Sequence, residues 1–138
     1  MSANPNAFDL DDLQQDDTAD MEVINPRTAE PTGWIITFAG PGHEKAVKLK
    51  NSTLRRNLKR ARKGNEEATP EDVERDSLDN IVGRIVTWSG ATKGGQPLEF
   101  SHEVARDLLG NPKYQWLRTA CAIFLNDEAS FMKGSAKV

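Results

Sequence analysis

One cysteine, two histidines and a longest strongly apolar run of only Trp34-Ile35-Ile36-Thr37-Phe38-Ala39 are what this 138-residue chain has to offer for three kinds of chemistry. Cys121 alone cannot close an intramolecular disulfide, and the chain is expected to suit a reducing, intracellular site. His43 and His102, far apart and joined by one cysteine, match no structural zinc spacing. The apolar run is far short of the ~20 residues needed to cross a bilayer, so no transmembrane helix is expected. The first twenty residues contain no lysine or arginine. A secretory segment would be basic and then apolar, so none is expected here.

Charge is present but segregated. Lys plus Arg number 18 and Asp plus Glu 21, for a formal net charge of -3. Asp9, Asp11, Asp12, Asp16, Asp17 and Asp20 fall in the first stretch, where only Phe8, Leu10 and Leu13 are sizeable apolar groups. Residues 1–20 therefore read as an acidic disordered arm whose composition cannot offset its own ordering entropy. A sharper reading makes Phe8, Leu10 and Leu13 a short docking segment that orders on a partner. Residues 21–125 read as one domain, and 126–138 as a loose C-terminal tail.

Within the domain, Met21 to Asn25 and Gly33 to Ala39 are β-prone runs separated by a turn with two prolines, which predicts a hairpin. Trp34, Ile36 and Phe38 alternate onto one face and require a helical layer to cover them. From His43 to Lys63, Val47, Leu54, Leu58 and Ala61 recur at helical spacing, and the other faces carry nine cations against Glu44 alone. Gly64-Asn65 is the expected stop. Thr69-Pro70-Glu71-Asp72 is a strong helix start, followed by an apolar stripe of Val73, Leu78, Ile81, Val82, Ile85 and Trp88 that predicts one central helix closed by Ser89-Gly90. The stretch from Ala91 to Glu99 reads as a loop. Ser101 caps a short helix to Leu109, and Asn111-Pro112 opens a last one with Tyr114, Leu117, Ala120, Cys121 and Phe124 buried. The predicted fold is mainly α: a small bundle of about four amphipathic helices with an N-terminal β-hairpin and flexible termini.

Catalytic groups do not converge in this pattern. Ser101 and His102 are neighbours whose side chains diverge at a helix start, and Ser101 is better explained as a cap. Cys121 sits in an apolar stripe as a small hydrophobe. The acidic arm lacks the glycine and distal glutamate of a calcium loop, and Gly90 to Gly95 lacks the Gly-Lys-Ser/Thr order of a phosphate loop. No enzyme, metal or cofactor is expected. The basic helix, with Lys48, Arg55, Arg56, Lys59 and Arg60 as its surface, admits nucleic acid as a partner. Against that reading stand the spread of its cations around several sides, the lack of interleaved aromatics and an overall pI near 5.4.

Three runs, in order, resemble the tail assembly chaperones of long-tailed bacteriophages. The first is Glu22 to Pro41, similar to an N-terminal hairpin of that family, whose members carry glycine where this chain has Ala29. The second joins Ile85 to Gly90, Gly95 to Ser101, Ala105 to Leu109 and Pro112 to Leu117. It is similar to the family's helix ending in tryptophan, a loop to Pro-x-x-Phe-Ser, a short helix and an aromatic-bearing last helix. The third is Asp127 to Phe131.

The resemblance implies a non-catalytic protein that binds the tape measure protein, keeps its hydrophobic helices soluble and assists tail tube assembly, with tail tube protein as a second partner. It implies action in the host cytoplasm during phage assembly and absence from the finished virion. Trp116 and Phe131, off the main stripe or in the tail, join Phe8, Leu10 and Leu13 as candidate contacts, against the alternative that they complete the core. Self-association is a further expectation. Two rival readings are a structural neck or tail protein retained in the virion and a nucleic-acid-binding regulator using residues 45–63.

Overall fold

A computed structural model of the chain describes residue 7 and residues 9–64 and 69–132. Phe8, Asn65, the first six residues and the last six lie outside the described residues. The element order is β1 (Thr18–Ile24), β2 (Pro31–Ala39), α1 (Glu44–Arg62), α2 (Pro70–Arg84), β3 (Ile85–Ser89), β4 (Thr92–Lys93), β5 (Gln96–Pro97), α3 (His102–Leu109) and α4 (Gln115–Asn126), with 3-10 turns at Leu10–Asp12, Pro112–Tyr114 and Glu128–Phe131. β1, β2 and β3 form an antiparallel sheet in that order, and β4 pairs with β5.

The fold is therefore mixed α/β, and the expectation of a mainly α bundle is corrected. The error lies in the single helix expected from Thr69 to Trp88. The helix ends at Arg84, and Ile85-Val86-Thr87-Trp88 continues at once as a strand against β2. Ile85 and Trp88 are three apart, a spacing that a helix would also place on one face. In the strand they reach the same side because the register with β2 slips between Thr37 and Phe38, which leaves Val86 as the extra residue. The β-branched and aromatic composition of these four residues favours the pleated surface. The expected loop from Ala91 to Glu99 also contains a small hairpin, β4–β5.

The N-terminal hairpin is present, and β1 begins at Thr18, three residues before the expected start. Ile36 and Phe38 are buried and Trp34 is half-buried on the inner face, as alternation predicts. α2, α3 and α4 cover that face around one core that includes Phe38, Ile81, Ile85, Leu109, Leu117, Cys121 and Phe131. Burial contributes on the order of 2–3 kcal/mol for each of the larger of these side chains. Helix starts follow the sequence closely. The Thr69 hydroxyl accepts from the Asp72 amide at 3.1 Å while the Asp72 carboxylate accepts from the Thr69 amide at 3.2 Å, a reciprocal capping box. Ser101 Oγ accepts from the Val104 amide; Asn111 Oδ1 accepts from that of Lys113, but it caps the 3-10 turn Pro112–Tyr114, and α4 starts only at Gln115, without a side-chain cap.

The tail does not begin where the apolar signal fades. After α4 the chain turns through Glu128–Phe131, buries Phe131, and joins the approach to β1: the Asp16 amide donates to the Phe131 carbonyl at 2.7 Å and Gln15 bridges Met132. Phe131 rests on Phe124, which in turn rests on Phe38, with centroids 5.5 and 5.6 Å apart.

The β1–β2 turn holds the one strained residue among those described. Asn25 Oδ1 accepts from the amides of Arg27 and Thr28, and the Ala29 amide donates to the Asn25 carbonyl. This closes the turn with Ala29 at φ 62, the left-handed region that an L side chain enters at a cost of ~1–2 kcal/mol. Glycine removes that strain and gives back ~0.5–1 kcal/mol through its looser unfolded state. Ala29→Gly is accordingly expected to raise stability by about 0.5 kcal/mol in urea denaturation; a loss of stability would show that the turn does not hold this conformation.

Candidate functional site

The helix with the strongest charge has the weakest attachment. No residue of α1 is buried. His43 caps its start, with Nδ1 accepting from the Lys45 amide at 3.0 Å and Nε2 facing Asp17 at 3.7 Å. One side of α1, carrying Leu49, Arg56 and Arg60, lies antiparallel along α2. Leu49 packs against Gly83, where a Cβ would stand 3.1 Å from its methyl group, so the glycine sets how closely the helices approach.

Farther along, Arg56 reaches Asp76 at 2.9 Å and Asp79 at 3.6 Å, and Arg60 reaches Asp76 at 3.7 Å. The shortest of these is an ion pair without hydrogen-bond alignment, since Asp76 Oδ1 has no hydrogen-bond partner. Asp79 also binds Arg106 of α3. A single carboxylate thus ties three helices together.

The basic surface expected on α1 is consequently reduced. Arg56 and Arg60 are committed to α2, and Lys48 is paired with Glu44 at 2.8 Å on its own helix. That pair holds the Glu44 carboxyl below its usual range and raises the Lys48 ammonium, through their hydrogen bond first and their charges second. Arg55 and Lys59 are exposed. Lys59, with Arg56, Arg60, Lys63 and Arg75, also borders a hollow of about 470 Å³ beside the start of α2, in which Asp72 is the one lining carboxylate.

Turning these arginines inward leaves the apolar stripe facing out. Leu54 and Leu58 are 56% and 55% exposed and Val47 is 43% exposed, on a face directed away from α2. The apolar spacing 47, 54, 58 therefore marks the side of the helix opposite its contact with α2. Leucines left in water along successive turns of one helix make this face a candidate docking surface.

The other candidate contacts separate. Leu10 and Leu13 are well exposed beside the Leu10–Asp12 turn. Trp116 is exposed at the margin of a 260 Å³ hollow that Trp34 and Tyr114 also line. Phe131 is a core residue and offers no surface for a partner. Phe8 lies outside the described residues.

Sequence reasoning missed Arg118, which is buried in α4 and donates to the Glu74 carboxylate at 2.5 Å and to its carbonyl at 3.2 Å. It also missed Ile123, 66% exposed on the same helix. Ile123 could have been found, because it falls outside the Leu117–Cys121–Phe124 stripe. Arg118 falls within the buried face, where composition gives no warning of an arginine.

Among the described residues no three His, Cys, Asp or Glu side chains gather as metal ligands, and no helix is long and apolar enough to cross a membrane. Ser101 is occupied in capping, and the His102 ring stands edge-on to Phe100 at 5.2 Å. Burial pushes the Cys121 thiol up to about 12. No known protein family, curated protein or solved structure matches the chain.

Two outcomes are expected from these contacts. At pH 8 Cys121 should stay inert to Ellman's reagent in the folded protein and react fully in denaturant; rapid reaction without denaturant would contradict its burial. Asp79→Asn should cost about 1 kcal/mol, in the range of partly exposed ion pairs, and should accelerate amide exchange in α1 ahead of α4. Uniform exchange across both helices would show that α1 is not held separately.

Proposed function

We propose that this protein is a non-catalytic binding protein of the phage tail assembly chaperone kind, and that its client is the tape measure protein. The observation that carries the binding role is the outward stripe of Val47, Leu54 and Leu58 on α1. An amphipathic client helix lays its apolar side on such a stripe, which withdraws the apolar faces of both helices from water. Arg55 and Lys59 beside the stripe favour a client segment with acidic flanks. The modest attachment of α1 to α2 lets the helix adjust its angle to successive client segments without opening the core.

The choice of client rests on the family resemblance. Support comes from the hairpin from Glu22 to Pro41, whose turn places Ala29 in the conformation that favours the glycine of similar chains. The part of the pattern that expected a helix ending in tryptophan is here a strand ending at Trp88-Ser89, so that portion lends less support. In this reading the protein acts in the host cytoplasm while the tail is built, and tail tube protein is a second partner.

Co-expression with the tape measure protein of the same phage tests the proposal. The two should co-purify, and Leu54→Asp combined with Leu58→Asp should abolish capture while moving the melting temperature by no more than about 2 °C, since both side chains are already in water. Undiminished capture by the double variant would remove α1 as the site. Stoichiometric retention of the protein in purified virions would replace the chaperone reading with a structural one.

A further inference from the structure

We propose that the stripe on α1 has an occupant within the chain: the acidic segment around Leu10 and Leu13 folds over Val47 and Leu54 of the same molecule, so that a client must displace it. His43 leads the stripe. It stands four residues before Val47, about one helical turn, and eleven before Leu54, about three turns, so all three fall on one side of α1. Asp17 lies against that leading residue, with its carboxylate 3.7 Å from His43 Nε2 and its carbonyl accepting from the Gly40 amide at 2.7 Å. The N-terminal segment therefore joins the domain at the head of the stripe and on the stripe's own side.

Reach and chemistry agree. Leu13 and Leu10 are four and seven residues before Asp17, a reach of up to ~13 and ~23 Å at ~3.3 Å per residue. Val47 and Leu54 lie ~6 and ~17 Å along α1 from His43 at ~1.5 Å per residue, so each leucine has a counterpart within its range. Leu10 and Leu13 are in water, as the stripe is. Asp9 and Asp11 flank Leu10, whereas the exposed cations Lys50, Arg55 and Arg62 adjoin the stripe, so the two surfaces match in charge as well as in apolar spacing. The α1 helix of a second copy fits less well, because it sets cations against cations. In the structure the segment runs instead along the final turn, through the Asp16 amide to the Phe131 carbonyl and the Gln15 bridge to Met132. Closure gives up at most those two contacts and withdraws Leu10, Leu13, Val47 and Leu54 from water. This masking role rests on the reading of the stripe as the client surface, whereas the contact itself does not.

A nitroxide on the full-length, isotope-labelled protein detects the contact without a client. It is attached after Ala7→Cys, at an exposed position, while the buried Cys121 stays unlabelled. Amides of residues 47–58 should lose about half of their NMR intensity relative to the reduced label, as a contact populated for much of the time requires. Leu10→Ser with Leu13→Ser should restore that intensity. Full intensity on α1 overturns the contact, as does broadening that survives the double variant, or broadening carried from nitroxide-bearing to isotope-labelled copies in a mixed sample, which would place the segment on a second molecule. Capture of the tape measure protein then separates masking from the client reading. Leu10→Ser with Leu13→Ser should tighten the apparent affinity by about threefold, as for a segment closed about two-thirds of the time. Unchanged affinity, with capture still lost in Leu54→Asp with Leu58→Asp, overturns the masking and leaves the client surface in place. Broadening of α1 with no capture by any variant upholds the contact and removes the client reading instead.

Discussion

The direct passage from α2 into β3, without an intervening loop, constrains most of the structure. With no residue to spare between Arg84 and Ile85, the end of α2 must lie at the edge of the sheet and α2 must cross its inner face. Arg84 fixes the junction: its Nε and terminal nitrogen donate to the Ala39 carbonyl at 3.0 and 2.7 Å, holding the last residue of β2 against the last residue of α2. Burial lowers the Arg84 pKa from its ordinary value, yet an arginine remains charged at any physiological pH. Its guanidinium also stands 5.2 Å from the centre of the Phe131 ring, so the C-terminal turn is secured at the same point.

From this junction two aromatic series organise opposite ends of the core. Phe38, Phe124 and Phe131 connect β2, α4 and the final turn. At the other end Trp34 stands edge-on to Trp88, and Trp88 to Phe100, while the Trp88 indole donates to the Leu98 carbonyl at 2.8 Å. The sharp exit from β3 makes the second series possible. Gly90, at φ 91, passes so close to the Gly33 carbonyl that a side chain there would collide with backbone. Neither series includes α1, and its Leu54 and Leu58 remain in water.

Local signals were the legible ones. Thr69, Ser101 and Asn111 announced their caps, and Trp34, Ile36 and Phe38 announced the inner face of β2, because each depends on chemistry within a few residues. The failures came where two periods agree or where partners are distant in sequence. Ile85 and Trp88 fit a helical stripe as well as a bulged strand, and only pairing with β2 decides between them. Phe131 lies in a polar segment, so its burial depends on Phe124 and Arg84, which the local pattern does not display. Leu10 and Leu13 are exposed, whereas Trp116 and Phe131, paired as candidate contacts, fall on opposite sides of the boundary between surface and core.

The same limit governs α1, where counting cations concealed a difference between two kinds. Apart from the contact of His43 with Asp17, the cationic side chains seen to join one described element to another are arginines: Arg56, Arg60, Arg84, Arg106 and Arg118. Among the described residues, the one lysine seen in an ion pair, Lys48, bonds within its own helix. A planar guanidinium offers several donors in fixed directions and is weakly hydrated, so it suits partly buried contacts that a lysine ammonium satisfies poorly. In α1, Arg56 and Arg60 turn toward the carboxylates of α2, and Leu54 and Leu58 fall on the opposite face. Arg55 and Arg62 of the same helix are exposed, so residue type alone does not mark the attached side; the carboxylate of Asp76 on α2, which Arg56 and Arg60 both reach, decides it.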